Sequence, residues 1–283
     1  MKIIEQIDEM RVFVKPLKFK KTIGLVPTMG ALHQGHLNLV EQAKLKSDII
    51  IASIFVNPAQ FNKKEDLDLY PNTLEEDLAK LDASGCDVVF VPNPEEMYPT
   101  QQHLNIDLGP IGKHLEGKFR PGHFNGVALV IAKFFNICMP DYAYFGQKDI
   151  QQYHVIEKLT QDLCFNVSIE QVATAREKNG LAMSSRNLRL SHPEREHAGL
   201  IFQALQAARR ILLAEGSISA AKAHVKAMFS NQKQLSLEYF EVVYAHEFVP
   251  LKKIHSYNQV VLCIAAEINT VRLIDNISLD RKV

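Results

Sequence analysis

The chain has 283 residues, of which 32 are basic and 32 are acidic, so its formal net charge is zero. Because phosphate backbones select basic surfaces, this balance argues against nucleic acid as the main partner. The composition, 47% hydrophobic and 23% charged, is close to the average of soluble globular proteins and allows a buried core.

The first half of the chain alternates strand-like and helix-like segments. Continuous apolar runs, typical of strands covered on both faces, predict strands at 22–26, 48–56 and 87–91. Helices are predicted near 36–46, 72–84, 124–138 and 149–162. The segment 124–138 should be deeply buried because it is apolar almost all round. This alternation predicts βαβ units and a parallel sheet, that is, an α/β fold.

The pattern changes after about residue 175. Ser191 and Pro193 predict the N-cap and first turn of a helix that runs to about Ala214 and is ended by Gly216. A second helix and three strands are predicted at 219–230, 235–244, 260–266 and 270–275. The sequence therefore predicts two domains, a larger α/β domain and a smaller α+β domain, at 1–174 and 175–283.

The cysteines and the apolar runs indicate the compartment. The four cysteines are scattered, without a C-x-x-C pair, which favours reduced thiols over a zinc site or a disulfide framework. The first residues mix charge throughout and lack the apolar core of a signal peptide. The longest apolar run, 49–56, is too short to span a bilayer. We expect a soluble, cytoplasmic protein without a membrane partner.

The segment PTMGALHQGH, residues 27–36, lies where the first strand is expected to meet a helix. Open parallel sheets bind ligands at such turns, and a helix start aims free N–H groups there. Gly30 and Gly35 allow the backbone to approach a ligand closely. Because residues three apart share a helix face, His33 and His36 could both reach one phosphate. The alternative is a pair of ordinary surface or core histidines.

Two further segments place polar groups at the starts of predicted helices. FRPGHFNGV leads into the apolar helix, and its Arg120 and His123 could be anion ligands. YFGQKDIQQ reads as a strand end, a glycine turn and a helix start. There Lys148 could bind phosphate, and Asp149 could cap the helix or bind a ribose hydroxyl or a metal. A surface arginine and a helix cap are the alternatives.

The segment GLAMSSRN lies between the two predicted domains. Ser184, Ser185 and Arg186 would make a good oxyanion cradle, although serine and asparagine also favour turns and caps. Each of these segments is a weak signal by itself. Together they place several phosphate-binding groups at strand–helix junctions or at the domain boundary.

Five motifs follow one another along nearly the whole chain: PTMGALHQGH, FVNPAQF, RPGHFNGV, FGQKDIQQ and GLAMSSRN. In this combination the chain resembles the pantothenate synthetase (pantoate–β-alanine ligase) family, whereas H-x-G-H alone marks a broad nucleotidyl-transferring superfamily. The resemblance implies a Rossmann-like N-terminal domain of the H-x-G-H nucleotidyl-transferring type, which holds most of the site. It also implies a smaller, lid-like C-terminal domain and a homodimer.

The resemblance implies a reaction as well. The family activates (R)-pantoate with Mg²⁺-ATP to pantoyl adenylate, releasing pyrophosphate, and β-alanine then attacks to give pantothenate and AMP. The implied partners are therefore ATP, (R)-pantoate and β-alanine, with Mg²⁺ as the cofactor. Two alternatives stay open, a nucleotidylyltransferase that moves AMP or CMP onto a phosphorylated acceptor, and a nucleotide-binding regulatory module without catalysis.

Site residues follow from the resemblance by matched position. His36 is implied as the catalytic histidine, with His33 and Lys148 as further catalytic residues. The implied ATP site consists of Met29, Gly30, Ala31, Leu32, His33, Gln34, Gly35, His36, Gly146, Gln147, Lys148, Asp149, Ala175, Met183, Ser184, Ser185 and Arg186. The implied pantoate and β-alanine site consists of Gln60, Gln152, Asn57 and Arg120. Asp77 is the candidate metal ligand.

Overall fold

Strands and helices alternate in the N-terminal part of the chain, as its apolar runs predict. The computed structural model describes residues 1–62 and 64–279, and the last four residues of the second predicted domain, 280–283, lie outside it. The strands are β1 (Lys2–Ile4), β2 (Ile23–Thr28), β3 (Ile49–Ile54), β4 (Val88–Phe90), β5 (Tyr142–Gly146) and β6 (Ser168–Val172). The helices are α1 (Ile7–Val14), α2 (Gln34–Ala43), α3 (Lys64–Asp68), α4 (Leu74–Ala83), α5 (Pro94–Met97), α6 (Glu116–Phe119), α7 (His123–Cys138) and α8 (Ile150–Asp162). Single 3₁₀ turns occupy Pro58–Gln60, Gly109–Gly112 and Gln147–Asp149.

The six strands form one parallel sheet in the order β1-β4-β3-β2-β5-β6, which confirms the predicted α/β fold. The sequence did not identify the two edge strands. β1 has three residues, and β6 reads SIEQV, which is partly exposed along its length. Neither forms the long apolar run that marks a strand covered on both faces. Of β5, the sequence identified only the end.

The order of the strands reverses next to β2. From β2 the chain builds outward through β3 to β4 on one side, and β5 and β6 lie on the other. In open α/β sheets the crevice at such a switch point, beyond the carboxyl ends of the strands, binds ligands. Here the loop after β2 and the Gln147–Asp149 turn after β5 border that crevice.

Helix α7 lies directly against the Pro58–Gln60 turn, which follows β3. Most of its residues are buried, which confirms the burial predicted for 124–138. A side chain at Gly126 would clash with the Ala59 carbonyl and the Gln60 N–H, so the helix backbone touches the Pro58–Gln60 turn. The close contact fixes the position of that turn relative to the core.

The C-terminal part contains α9 (His192–Ala198), α10 (Leu200–Glu215) and α11 (Ile218–Ser230). It also has a separate antiparallel sheet in the order β7-β8-β9, formed by Leu235–Tyr244, Val260–Ile268 and Val271–Ser278. A 3₁₀ turn at Ser185–Arg189 precedes them. The capping box at Ser191 and the left-handed Gly216 at the end of α10 are as predicted.

One predicted helix, from Ser191 to about Ala214, is two helices that meet at Gly199. Asn179 Nδ2 donates to the Arg195 carbonyl at 2.8 Å, and the Gly199 N–H donates to Glu196 instead. A side chain at Gly199 would lie 3.0 Å from the Asn179 carbonyl oxygen. The break therefore comes from a loop distant from this segment in sequence, and the periodicity of the helix could not reveal it.

Strand β9 joins the two parts of the molecule. Arg272 donates to both carboxylate oxygens of Glu116 in α6, at 2.8 and 2.7 Å. Asn276 Nδ2 donates to the carbonyls of Gln147 and Lys148, at 2.9 and 2.8 Å. The smaller part thus contacts the turn that follows β5. The domain boundary at 174/175 remains a prediction.

No helix in residues 1–62 and 64–279 is long and apolar enough to cross a membrane. The four cysteines are free thiols, of which Cys86, Cys138 and Cys263 are buried and Cys164 is exposed. The cytoplasmic location remains a prediction.

The Glu116–Arg272 pair predicts a loss of stability in acid. Burial alone would raise the pKa of Glu116, but the hydrogen bonds and charge of Arg272 outweigh it and lower that pKa to about 2. Because an unperturbed glutamate titrates near pH ~4.3, the pair stabilises the folded state fully above that pH and is lost as pH falls towards 2.

We expect Glu116→Gln to lower the free energy of unfolding at neutral pH by roughly 2–4 kcal/mol. The difference in free energy of unfolding between this variant and the wild type should shrink as the pH falls from about 4.3 towards 2. Urea denaturation at several pH values measures it. Glu238→Gln is the control, because Glu238 bonds the same arginine but is more exposed, and it should cost less than about 1 kcal/mol. An equal loss in both variants would contradict the assignment.

Candidate active site

A cavity opens at the switch point between β2 and β5. Its walls come from the loop after β2, the Pro58–Gln60 turn, α7, the Gln147–Asp149 turn and the segments 173–175 and 183–186. The sequence predicted ligand binding beyond the carboxyl ends of the parallel strands, and the cavity lies there.

A buried carboxylate shapes the loop that follows β2. Gly30 and Ala31 have φ values of +81° and +49°, which turn the chain back on itself. The N–H groups of Ala31 and Leu32 then donate to the two carboxylate oxygens of Asp77, both at 2.7 Å. Thr73 Oγ1 donates to the same carboxylate at 3.1 Å. The loop is therefore held from α4, outside its own stretch of sequence.

Asp77 does not fit the metal role predicted for it. Its side chain is buried, and both carboxylate oxygens already accept N–H groups of the loop. Within the described ranges, 1–62 and 64–279, no three or more His, Cys, Asp or Glu side chains are grouped so that they could hold a metal ion. Asp77 instead positions the loop, a role that its separation of 45 and 46 residues from its partners hides in the sequence.

Two histidines cap helix α2. His33 is the N-cap, and its Nδ1 accepts the Gly35 N–H at 3.1 Å. The His33 N–H donates to His36 Nδ1 at 3.3 Å, which completes a reciprocal capping box. A side chain at Gly35 would lie 2.8 Å from the His33 ring, so this position requires glycine. The H-x-G-H spacing is thus a local folding device as well as a candidate site.

The hydrogen bonds define the protonation of both rings. A nitrogen that accepts a backbone N–H carries no proton, so each neutral ring carries its proton on Nε2. Burial, His36 and the charge of Lys148 lower the pKa of His33 to about 3. Burial and the charge of Lys148 lower the pKa of His36 to about 4. At neutral pH both histidines are therefore uncharged N–H donors.

Two glutamines line the cavity in different ways. Gln60 Oε1 accepts from Asn57 Nδ2 at 3.0 Å, and Gln60 Nε2 lies 3.1 Å from Met29 Sδ. Asn57 is fixed in turn by the Tyr98 hydroxyl, which donates to its Oδ1 at 2.7 Å. Gln152 lines the cavity from α8, and its side-chain amide makes no hydrogen bond with the described part of the chain. Its amide is available to a ligand.

The Gln147–Asp149 turn presents a lysine and a carboxylate to the cavity. Lys148 Nζ lies 3.6 Å from Asp149 Oδ1, and both residues belong to the lining. The backbone of this turn is held by Asn276 from β9. Sequence reasoning missed Asn276 because it lies 128 residues from Lys148 and belongs to no motif.

The predicted oxyanion cradle is partly used by the protein itself. Ser185 Oγ donates to the Ala31 carbonyl at 2.9 Å, which ties this segment to the loop after β2. Arg186 Nη2 donates to Asp66 of α3 at 2.9 Å. Ser184 Oγ accepts the Arg186 N–H at 3.3 Å. In this arrangement Ser185 positions the loop, and Arg186 joins α3 to the cavity wall.

The cavity brings most of the predicted residues together. Those in its lining are Met29, His33, Gly35, His36, Asn57, Gln60, Arg120, Gly146, Lys148, Asp149, Gln152, Ala175, Met183, Ser184, Ser185 and Arg186. Those outside the lining are Gly30, Ala31, Leu32, Gln34, Asp77 and Gln147. Lining residues that were not predicted as site residues include Tyr70, Thr174 and an apolar wall of Phe55, Val127, Val130, Ile131 and Phe134.

Four residues of that wall lie on α7 at helical spacing, at positions 127, 130, 131 and 134. Residues at this spacing share one face of a helix. Because α7 is apolar almost all round, the sequence could not show which face meets the cavity. The cavity therefore combines N–H donors, a lysine, two amides and an apolar surface.

Comparisons with known proteins agree with the motifs. The family model "Pantoate-beta-alanine ligase" matches residues 2–278. The pantothenate synthetase of Cytophaga hutchinsonii is 42% identical over 276 residues, covering 97% of this chain and 98% of that protein. Pantothenate synthetase from Thermus thermophilus has a TM-score of 0.92 at 37% identity, covering 99% of this chain and 100% of the other. Pantoate–β-alanine ligase from Francisella tularensis, complexed with "Beta-gamma ATP and Beta-alanine", has a TM-score of 0.82 at 34% identity, with 99% and 98% covered.

The contacts of Asp77 predict what its loss would do. In Asp77→Asn one carboxylate oxygen becomes an NH₂ group that faces a backbone N–H, so we expect a loss of roughly 1–3 kcal/mol in the free energy of unfolding. Glu76→Gln is the control, because the neighbouring Glu76 side chain is 72% exposed, and it should change stability by less than about 0.5 kcal/mol. Urea denaturation measures both. If Asp77→Asn left stability unchanged and abolished the response of the activity to Mg²⁺, the result would instead support Asp77 as a metal ligand.

Proposed function

This chain belongs to the pantoate–β-alanine ligase family, and on that premise we propose that it forms pantothenate from (R)-pantoate and β-alanine through a pantoyl adenylate. In the proposed reaction ATP is cleaved to AMP and pyrophosphate. One observation carries the proposal: a single cavity holds the neutral donors His33 and His36, the cation Lys148 and the amides of Gln60 and Gln152. Phosphate-binding groups thus lie beside groups suited to a small polar acid.

The complex of the Francisella tularensis relative with ATP and β-alanine supports these two compounds as substrates here. That relative covers nearly the whole chain. The cavity of this chain is suited to (R)-pantoate as well, because an apolar wall of Val127, Val130, Ile131 and Phe134 lies within reach of the same space as the amides. A branched hydroxy acid has both an apolar body and polar oxygens to satisfy.

The first step joins two negatively charged reactants. The pantoate carboxylate attacks the α-phosphorus of ATP, and pyrophosphate leaves with the electrons of the broken P–O bond. His33 and His36 donate from Nε2 to phosphate oxygens, while Lys148 supplies a positive charge. Donors held in place before the reaction stabilise charge as it develops, at little cost in reorganisation.

The two glutamines hold pantoate without neutralising it. An amide N–H can donate to a carboxylate or hydroxyl oxygen, and an uncharged donor leaves the carboxylate more nucleophilic than an ion pair would. The side-chain amide of Gln152 has no hydrogen bond within the described ranges, so it is free for this contact. Gln60 is pre-oriented by Asn57.

In the second step the amine of β-alanine attacks the carbonyl of the adenylate, and AMP leaves. Water would compete for the same carbonyl, so the site must be closed. Arg186 holds α3 through Asp66, and Tyr70, which follows α3, lines the cavity. We expect this segment to reduce access of water to the cavity.

Magnesium would enter with ATP. Mg²⁺ is commonly held by one or two carboxylates together with substrate phosphates, and Asp149 is the carboxylate in the cavity lining that fits this pattern. When bound, the ion offsets the charge of the leaving pyrophosphate. The magnesium requirement and the homodimer remain predictions.

Heavy-oxygen labelling tests the reaction path. Pantoate labelled in both carboxylate oxygens should transfer one labelled oxygen to AMP and keep the other in the amide product, because the carboxylate oxygen bonds to the α-phosphorus. Mass spectrometry of AMP and phosphate measures the transfer. Reactions that lack pantoate, β-alanine or both substrates are the controls. AMP should form in quantity only when both substrates are present.

Labelled inorganic phosphate together with ADP would indicate attack at the γ-phosphorus and would exclude the adenylate. A dinucleotide-like product would instead favour a nucleotidylyltransferase. ATP binding without turnover under every condition would favour a regulatory module.

Two adjacent glutamines provide a matched pair of variants. Gln152→Ala should raise the pantoate concentration needed for half-maximal rate by roughly 5- to 150-fold, with ATP binding and stability nearly unchanged. Gln151 instead bonds the Glu116 N–H and the carbonyls of Ile111 and His114. Gln151→Ala should therefore lower the free energy of unfolding by about 1–3 kcal/mol. Steady-state kinetics and urea denaturation separate the two, and a Gln152→Ala defect confined to ATP binding would contradict the assignment.

A further inference from the structure

A buried histidine connects a cation in the cavity lining to the turn that carries Gln60. Arg120 Nη1 and His123 Nε2 are 3.1 Å apart, and His123 Nδ1 lies 2.9 Å from the Gln60 carbonyl oxygen. His123 is 5% exposed, and all three residues line the cavity. The three groups form one continuous hydrogen-bonded chain.

The direction of each hydrogen bond in this chain follows from its partners. A carbonyl oxygen can only accept, so His123 Nδ1 carries the proton and donates to Gln60. A guanidinium can only donate, so His123 Nε2 is unprotonated and accepts from Arg120. Burial, followed by the charge of Arg120, lowers the pKa of His123 to about 3, in keeping with a neutral ring. This tautomer is the opposite of the one at His33 and His36.

We propose that His123 is a positioning residue that fixes the Arg120 guanidinium beside Gln60, so that Arg120 receives the carboxylate of a substrate. The proposal rests on the proposed function, in which pantoate and β-alanine each carry a carboxylate. Because the reacting carboxylate of pantoate is held there by uncharged amides, we expect the carboxylate of β-alanine to bind Arg120. It differs from the sequence-based expectation that His123 is itself an anion ligand, because both of its ring nitrogens are already engaged.

The other two cations of the lining, Arg186 and Lys148, each lie beside a carboxylate. Arg186 donates to Asp66 at 2.9 Å, and Lys148 Nζ lies 3.6 Å from Asp149. The carboxylate paired with Arg120 is Glu116, with a separation of 3.7 Å, and Glu116 is already paired with both nitrogens of Arg272. The other guanidinium N–H groups of Arg120 have no hydrogen-bond partner among the described residues, so they are open to a substrate carboxylate.

A free arginine side chain has many rotamers and loses conformational entropy when it binds a ligand. An acceptor that already fixes one of its nitrogens reduces the entropy lost on binding. A neutral histidine suits this task. It accepts from the guanidinium without adding a second positive charge, and its other nitrogen anchors it to the backbone beside Gln60.

The first test uses the wild-type protein with isotope-labelled histidine. Long-range nitrogen–proton correlation spectra at neutral pH should show the Nδ1-protonated tautomer for His123 and the Nε2-protonated tautomer for His33 and His36. Spectra of single histidine variants assign the signals. A charged or Nε2-protonated His123 would overturn the proposal, and this measurement does not depend on turnover.

The second test uses two variants that each keep half of the ring's contacts. His123→Asn can still donate to the Gln60 carbonyl from the Nδ1 position but loses the acceptor for Arg120. His123→Gln can still accept from Arg120 near the Nε2 position but loses the donation to Gln60. We expect His123→Asn to raise KM for one carboxylate substrate by roughly 10-fold, and His123→Gln by less than about 3-fold, with KM for ATP unchanged in both.

Two assays identify that substrate. Exchange of labelled pyrophosphate into ATP reports on pantoate, and AMP release in the complete reaction reports on β-alanine. Arg120→Ala should raise the same KM, and adding His123→Asn to it should have little further effect, because His123 acts through Arg120. Additive effects, or equal defects in the Asn and Gln variants, would overturn the proposal. Failure of the wild type to form pantothenate would count against the proposed function, whereas the tautomer spectra still decide the role of His123.

Discussion

The candidate site depends on the buried carboxylate of Asp77. Its two oxygens accept the N–H groups of Ala31 and Leu32, which would otherwise be left unpaired in a loop with left-handed backbone angles. An unpaired buried N–H costs free energy comparable to a lost hydrogen bond, so the carboxylate stabilises a conformation that the loop alone would not hold. The Ala31 carbonyl then accepts from Ser185, which brings the segment from the other part of the chain to the same loop.

That loop delivers His33 to the start of α2, and the local structure decides the chemistry of both histidines. Each ring uses Nδ1 to cap the helix, which leaves Nε2–H as the remaining donor. Burial and the charge of Lys148 keep both rings neutral. Uncharged donors can stabilise a phosphate without the cost of burying additional cations beside Lys148, since like charges in a site of low dielectric repel strongly.

The smaller, C-terminal part of the molecule holds the turn that carries Lys148 and Asp149. Asn276 holds the carbonyls of Gln147 and Lys148, and Arg272 holds Glu116 of α6. Arg176 adds a bidentate pair with Asp275, at 2.6 and 3.0 Å. These contacts orient the backbone that presents Lys148 and Asp149, so the separate antiparallel sheet completes a site whose ligand-facing groups lie largely on the parallel sheet. Asn276 Oδ1 is buried without a hydrogen-bond partner among the described residues.

Local periodicity and contiguous motifs were enough to predict the α/β class, the apolar strands β2 to β4, the buried helix α7 and the family. The motifs also predicted His33, His36, Gln60, Lys148 and Gln152 as residues of one site, and these residues line one cavity. The three-dimensional contacts show how neighbouring residues divide their roles. Gln152 faces the cavity while Gln151 is tied to the backbone, and Asp77, the candidate metal ligand of the sequence, shapes a loop. They likewise show the tautomers of His33, His36 and His123 and the break at Gly199. The roles of Asp77, Gln151 and His123 depend on hydrogen-bond partners 35 or more residues away, and the spacing of residues along a chain carries no information about such partners.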